Sequence, residues 1–374
     1  MKATIERNAL LAALARAKSV IERRNSIPIL SNVLVGASDA GVCIMSTDMD
    51  VSLFETFPAE IARQGGTTVP AYAFHDIVKE TPKGSQIEIE ATEQGGVESL
   101  IIRAGRSTFT LPGLPFADYP EMKKAKMPVR FTLGSTELHG LFKPTRHAIS
   151  TEETRYYLCG ALLAIEASNG GTVLRAVACD GHRLAYSQIA MPKGAENLAS
   201  SIIPTKAVNI LYRLAGKYDG KIKVKASDKR ISFSLGKIIF TVKFIDGTYP
   251  DYERIIPTEN NTKMTADRAS LAAVVKRIGK ITTPQSRGLK LSLARNSLTL
   301  SKSSCDLGTA SEEIEVDYQG SPFEVGFNAR YLADILGAIT GDEVEFAMSD
   351  PASPTVVRDS ANASVLYILM PTRV

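Results

Sequence analysis

The 374-residue sequence has no tryptophan, four cysteines and four histidines. Cys43, Cys159, Cys179 and Cys305 lie far apart, so no pair has the spacing of a metal site or a redox motif. All four fall in apolar or strand-like runs, as small buried side chains of a reducing compartment do. Neither a metal nor a cofactor is expected. No run approaches the roughly 20 consecutive apolar residues of a membrane span. The stretch from Met1 to Arg24 alternates apolar and charged residues without a long apolar core, so no signal peptide is expected. These absences predict a soluble, cytoplasmic protein. No phosphate-cradling glycine loop or nucleophile motif is present either. Charge is nearly balanced: 44 Lys+Arg against 40 Asp+Glu leave +4, too mild by itself to suggest nucleic acid.

What the chain does have is one pattern three times. Helix, strands, a second helix and further strands recur about every 130 residues. The length fits two or three domains, and 44% hydrophobic with 22% charged residues fits packed cores. In the first copy Leu10, Leu14, Ala17 and Ile21 share one face of a helix predicted over Asn8 to Arg24. Strands are predicted at Ile29 to Val35, Gly41 to Ser46 and Val51 to Phe57, and a helix behind Pro70, over Tyr72 to Lys79. Alternating strands then lead to Tyr119-Pro120. The second copy predicts a helix over Ser135 to Ile149, which Pro144 should kink or shorten. Strands follow at Tyr156 to Glu166, Val173 to Ala178 and Arg183 to Ala190, then a helix over Thr205 to Lys217 behind Pro204. Its last strands end at Tyr249-Pro250. The third copy predicts helices over Asp267 to Lys280 and Asn328 to Ala338. Thr68-Val69-Pro70, Ile202-Ile203-Pro204 and Val325-Gly326-Phe327 occupy matching places. The expected class is α+β: three domains, residues 1–127, 128–257 and 258–374, each with two helices packed on antiparallel sheets. Repeated modules commonly build a ring, an arch or an array.

Opposite their apolar stripes the helices are basic. Arg16 and Arg23 stand on the first, Lys143 and Arg146 on the third, Lys206, Arg213 and Lys217 on the fourth, and Lys276, Arg277 and Lys280 on the fifth. On the last helix Asp334 offsets Arg330. Acids gather on strands and hairpins: Glu88, Glu90, Glu93, Glu312, Glu313, Glu315, Glu343 and Glu345. A basic helical lining against an acidic exterior would attract phosphates without reading sequence. For a single helix a solvated face is the simpler reading; four helices with one bias favour the lining.

Several short words carry a resemblance across the whole chain. They include Ile27-Pro28-Ile29-Leu30, Arg155-Tyr156-Tyr157-Leu158-Cys159-Gly160 and Asp180-Gly181-His182-Arg183-Leu184. Tyr249-Pro250-Asp251-Tyr252-Glu253-Arg254, Phe327-Asn328-Ala329-Arg330-Tyr331 and Met370-Pro371-Thr372-Arg373-Val374 complete the set. In this order, on a threefold repeat, the chain resembles the beta sliding clamps of bacterial DNA polymerase III holoenzymes.

The resemblance implies a head-to-tail homodimer. Two three-domain chains would close a ring, with helices lining the hole, around double-stranded DNA read without sequence preference. Its partners would be the polymerase III alpha subunit, the clamp loader, translesion polymerases, ligase and mismatch-repair proteins, bound through short linear motifs. The implied peptide cleft uses Leu158, Cys179, Gly181, His182, Arg183 and Leu184 of the second domain. It adds Pro250, Arg254 and Ile255 of the junction, and Tyr331, Ala352, Pro354, Ile368, Leu369, Met370, Pro371 and Arg373 of the third domain. Cys179 stands where the family commonly has Thr, and Pro354 where a small polar residue is common; both bear on peptide preference. Near the DNA the resemblance implies Arg24, Tyr156 and Tyr157, beside the helical Arg16, Arg213, Lys276 and Arg277. Glu152 occupies a position where a neutral polar residue occurs. The dimer seam would set Phe109 and Leu111 near Ile278 and Ile281, and Arg103 and Arg106 opposite Glu312 and Glu313.

Two other readings of the residues remain open. One is a repeat scaffold that binds partners without encircling DNA. The other is an enzyme built on Asp180, His182 and Arg183, although Asp180-Gly181 is first of all a hairpin-turn signal.

Overall fold

The computed structural model describes every residue except 24, 95, 96, 122–124 and 169. The first module runs β1 (Lys2–Glu6), α1 (Arg7–Lys18), β2 (Asn32–Ser38), β3 (Gly41–Thr47), β4 (Val51–Phe57), β5 (Glu60–Arg63), β6 (Gly65–Pro70), α2 (Ala71–Glu80), β7 (Gln86–Gln94), β8 (Val97–Ala104) and β9 (Ser107–Pro112). The second runs β10 (Val129–Gly134), α3 (Ser135–Thr145), β11 (Gly160–Ser168), β12 (Gly171–Cys179), β13 (Arg183–Ala190), β14 (Ser201–Pro204), α4 (Thr205–Ala215), β15 (Lys221–Ala226), β16 (Arg230–Leu235) and β17 (Ile238–Lys243). The third runs β18 (Thr262–Asp267), α5 (Arg268–Ile278), β19 (Gly288–Ala294), β20 (Ser297–Ser304), β21 (Gly308–Glu315), β22 (Phe323–Asn328), α6 (Ala329–Ala338), β23 (Glu343–Met348), β24 (Thr355–Asp359) and β25 (Asn362–Leu369). One order of strands and helices thus occurs three times, with β5 the single addition.

The chain divides into two compact units. The first comprises Met1–Ser135, Lys193–Leu198 and Arg213–Phe244; the second comprises Thr136–Pro192, Ala199–Tyr212 and Ile245–Val374. In the first unit a five-stranded sheet has the order β5-β1-β7-β8-β9, and an eight-stranded sheet the order β10-β15-β16-β17-β4-β3-β2-β6. The larger sheet crosses a module boundary by antiparallel pairing of β17 with β4, Phe240 opposite Leu53 and Val242 opposite Val51. The second unit repeats the device. Its eight-stranded sheet, β14-β11-β12-β13-β25-β24-β23-β18, joins two modules through β13 and β25, and a four-stranded sheet has the order β21-β20-β19-β22. β9 and β21 each end a sheet with one side unpaired.

The first module shows why these residues make these elements. Glu6 caps α1, its carboxylate accepting the N–H groups of Asn8 at 2.9 Å and Ala9 at 2.8 Å. Leu10, Leu14 and Ala17 then point into a core shared with Phe74 and Val78 of α2 and with Ile5, Val33, Ile44, Ile87 and Ile102 of both sheets. Such a core is one continuous apolar body between two helices and two sheets.

Several predicted bounds are corrected. α1 stops at Lys18 rather than Arg24, where the Ser19 N–H and hydroxyl both donate to the Arg16 carbonyl, at 3.0 and 2.6 Å; Ile21 stays buried beyond the helix end. The strand predicted from Ile29 begins at Asn32, after a 3-10 turn over Pro28–Ser31. α3 ends at Thr145, one residue past Pro144, and a 3-10 turn over Arg146–Ala148 follows, so the proline shortens the helix. Tyr156 and Tyr157 are not on a strand. They lie in a 3-10 segment, Glu153–Leu158, closed by the Cys159 N–H on the Tyr156 carbonyl at 3.0 Å. β1, β10 and β18, the short strands ahead of each first helix, were not predicted: five or six alternating residues are a weak signal.

Candidate partner cleft and nucleic-acid interface

The residues assigned to the cleft all lie in the second unit. At their centre is the turn between β12 and β13. Asp180 Oδ1 accepts the N–H groups of His182 and Arg183, each at 2.9 Å, and Gly181 has φ +87°, a left-handed conformation that glycine adopts freely. This accounts for Asp180 as a turn former.

β13 pairs with β25, Arg183 opposite Leu369 and Leu184 opposite Ile368. The Met370 N–H continues the ladder to the His182 carbonyl at 2.9 Å. Leu184 and Ile368 pack with Cys179, Leu162, Val356 and Tyr252 in one apolar cluster, with Tyr157 and Tyr249 against it. The structure thus brings Cys179, Leu184 and Ile368 together, but as a buried floor; Leu158 and Leu369 are buried too. Burial pushes the Cys179 thiol up, which keeps it a neutral apolar group. Pro250 stands on an exposed loop and Arg254 and Ile255 on the 3-10 turn Glu253–Ile255 that follows it, with Arg254 bonded to Asp251 at 2.7 Å. The loop borders a cavity of about 620 Å³ with Leu162, Glu166 and Ile202.

Arg183 is the most constrained side chain of the group. Buried, it bonds Asp180 at 3.0 Å and Asp334 at 2.7 Å, and its guanidinium carbon lies 4.2 Å from the centre of the Tyr331 ring. His182 stacks on the same ring at 6.3 Å. Asp334 was missed as a partner because it sits 151 positions away from Arg183. Arg155 was missed as well; its guanidinium lies 2.9 Å from where a side chain on Gly181 would begin.

Ala352, Pro371 and Arg373 border another cavity, of about 570 Å³, between β22 and the C-terminal tail. The tail is seated by the Thr372 N–H on the Gly326 carbonyl at 2.8 Å. A Cβ on Gly326 would collide with the Thr372 carbonyl oxygen and meet Val374 at 2.8 Å. Gly326→Ala is therefore expected to displace the tail and weaken a cleft peptide about tenfold, roughly 1.4 kcal/mol, with little change in melting temperature. Fluorescence polarisation of a labelled peptide checks this; unchanged affinity would detach the tail from the cleft. Pro354 lies outside that contact and presents its carbonyl to Asn260 Nδ2 at 2.8 Å.

Beside this region, His147 stacks on Tyr367 with ring centres 5.8 Å apart, and neither ring nitrogen has a partner among the described residues. Burial, then the Arg183 charge, pushes its pKa down to about 4, with Asp334 opposing and Arg146 adding to the shift. The unfolded ring protonates near 6.5, so its contribution to stability is full above that pH and is lost as pH falls toward 4. His147→Phe is expected to remove a loss of about 2 kcal/mol between pH 7 and pH 5, read from urea unfolding at both values. An identical pH dependence in the variant would contradict it.

The charged residues assigned to DNA are regrouped by the structure. Arg24 lies outside the described residues. Arg16 is bound bidentately to Glu55 at 2.7 and 2.5 Å, and Arg277 is bound to Glu312, so neither guanidinium is a free phosphate ligand. Among the described residues Lys276 is exposed and has no ion pair, and Arg213 is exposed. Tyr156 is 54% exposed and meets half-buried Tyr157 edge-on at 5.7 Å. Glu152 is held below the usual carboxylate range by its hydrogen bond from Arg155. The acidic strands are not bare either: Glu88 and Glu90 bind Lys2 and Arg103, and Glu345 binds Lys263 and Arg358.

The seam residues divide similarly. Phe109 is 39% exposed on edge strand β9, while Leu111 packs on the first core. Ile278 is 2% exposed and belongs to the core of its own module, which removes it from a seam; Ile281 is half-buried. Arg103 is engaged by Glu88 and Glu90, Glu312 by Arg277, and Glu313 by the Ser297 hydroxyl at 2.6 Å. Those three therefore do not await partners as the expected Arg–Glu pairing requires. Arg106 is exposed.

Three family models match in tandem: the N-terminal domain of the DNA polymerase III beta subunit over residues 1–123, its central domain over 132–251 and its C-terminal domain over 253–373. The chain is 42% identical to the beta sliding clamp of Caulobacter vibrioides over 374 residues, covering all of both chains. It is 32% identical to that of Escherichia coli K12 over 375 residues, again with full coverage. A sliding clamp structure from Bartonella birtlesii bound to griselimycin superimposes over all of both chains with a TM-score of 0.95 at 40% identity. One from Pseudomonas aeruginosa bound to the same compound gives 0.92 at 34%, also over the full length of both. With the threefold order of elements and matches end to end, the chain belongs to the beta sliding clamp family of bacterial DNA polymerase III.

Proposed function

We propose that this chain closes a head-to-tail homodimeric ring around duplex DNA, as a clamp that confers processivity on the polymerase without catalysing a step itself. The observation that carries the reading is the pair of open edges. Modules are joined within each unit by continuous antiparallel sheets, β17 to β4 and β13 to β25. β9 and β21 end the remaining two sheets unpaired. An exposed edge with apolar side chains is a template for another strand. β9 of one chain meeting β21 of a second, and the reverse, would repeat the same kind of junction at both seams.

The domains are residues 1–127, 128–257 and 258–374. The cleft takes short linear motifs from the polymerase III alpha subunit, the clamp loader, translesion polymerases, ligase and mismatch-repair proteins. Its buried floor of Cys179, Leu184 and Ile368 suits apolar anchors, and Met370, Pro371 and Arg373 offer a flanking wall. Tyr156, Lys276 and Arg213 serve DNA by stacking and by phosphate contact, alongside Arg24. The site of action is the cytoplasm, at the nucleoid.

The test is topological. The protein is loaded onto nicked circular duplex with a clamp loader and ATP, washed in high salt, and the circle is then cut. Retention on the circle and loss on linearisation is the expected result. Equal salt-sensitivity on both forms would replace the ring with a scaffold that binds partners and touches DNA only electrostatically.

A further inference from the structure

One cavity of the second unit shares His182, Arg183 and Tyr331 with the cleft and adds arginines that the cleft does not use. It holds about 510 Å³ and lies among the end of α3, the Asp180 turn and the start of α6. Four guanidinium groups line it: Arg146, Arg183, Arg287 and Arg330. Three carboxylates share it, each bound to a guanidinium group, two of them to the same one. Asp180 and Asp334 both bind Arg183, and Glu152 binds Arg155. Arg146 lies over the Tyr212 ring at 4.2 Å and has no carboxylate partner among the described residues. Among the described residues the guanidinium groups of Arg287 and Arg330 have neither an ion pair nor a hydrogen bond. The buried His147 ring adds no charge at neutral pH, and its two nitrogens are unpartnered.

Three guanidinium groups without a carboxylate of their own outweigh the one carboxylate charge that Arg183 leaves uncompensated, and an anion that several of them can share relieves their repulsion. Guanidinium is planar and presents paired donors that match two oxygens of a phosphate group. Arg183, at 4.2 Å from the Tyr331 ring, forms a common wall between this cavity and the cleft residues.

We propose that this cavity is a phosphate seat, formed by Arg146, Arg287 and Arg330 against the back of Arg183 and Tyr331. It holds a phosphate group presented either by a DNA backbone or by a free polyphosphate. It needs neither the ring nor the cleft reading to be true.

The test uses the full-chain protein and inorganic pyrophosphate, titrated by calorimetry at low ionic strength. Saturable binding at one site per chain is expected, weakened tenfold or more in Arg287→Gln/Arg330→Gln. Both side chains sit at or near the surface, so the fold should survive; Arg146→Gln provides a second variant if it does not. Lys223→Gln/Lys225→Gln, which removes the same charge from exposed positions of β15, should bind as the wild type does. No saturable binding, or equal weakening in the lysine variant, would overturn the seat and leave only diffuse electrostatics. An oligothymidylate that displaces pyrophosphate from the wild type identifies the DNA backbone as the source. Failure to displace it identifies a free phosphate compound. Loss of topological retention would bear on the ring alone.

Discussion

Phe109→Asp is expected to halve the light-scattering mass of the protein and abolish its retention on circular DNA, while leaving the fold of each chain intact. Phe109 lies on β9, the open edge of the five-stranded sheet, and is 39% exposed. It borders a largely apolar cavity of about 460 Å³ lined in part by Ala73, Ile77, Pro82 and Ala104. Burying a phenylalanine against a partner contributes about 2–3 kcal/mol. A carboxylate at the same place must be desolvated without a counter-charge, which costs more than the lost contact. The substitution acts twice, once per seam, because a C2 ring of this kind uses the same pair of surfaces at both junctions. Ile278 is unsuited to the same experiment. At 2% exposure, a charge there would unfold its own module and mimic loss of the ring. Arg106→Glu, on the exposed turn before β9, should weaken the dimer far less, since rim charges contribute little. An unchanged dimer mass in Phe109→Asp would remove β9 from the seam.

Arg183→Ala is expected to destabilise the protein by about 3 kcal/mol and to cost the cleft its peptide affinity as well. The guanidinium is 7% exposed and bonds Asp180 and Asp334, whose side chains are 13% and 33% exposed. Removing it leaves one largely buried and one half-buried carboxylate facing each other without a cation. The upper end of the usual penalty is reduced here because Asp334 reaches water. The Tyr331 ring loses its stacked cation, so the wall of the cleft loosens. Arg183→Lys keeps the charge but neither the fork nor the stacking, and should recover about half of the stability. Urea unfolding gives the first number and peptide titration the second. A variant with native stability would mean that the two carboxylates are better solvated than the geometry implies.

Much of this was legible in the residues. The apolar period of Leu10, Leu14 and Ala17 gave a helix, and the runs Val51 to Phe57 and Arg183 to Ala190 gave strands with the bounds observed. Asp180-Gly181 gave a turn because an aspartate can accept the two following N–H groups and glycine tolerates positive φ. Tyr156 and Tyr157 misled, since aromatic residues before an apolar strand read as part of it. Their 3-10 turn is held by backbone bonds from Ser150 and Arg155 that no periodicity encodes. The charge pattern misled for a related reason. Arg16 and Arg277 do stand opposite apolar stripes, yet each meets a glutamate, 39 and 35 positions away, on a strand.

The sequence by itself determined the threefold repeat, the secondary structure within each copy and the family, because periodicity, turn chemistry and short words are local. Only the tertiary structure decided which charges are neutralised, which apolar cleft residues form a buried floor, and which strands are left with open edges. Those depend on pairs far apart in the chain: Arg183 with Asp334, β13 with β25, β17 with β4. A side chain's partner at such distance is fixed by how sheets register and helices pack, and that is a property of the assembled core rather than of any stretch of residues.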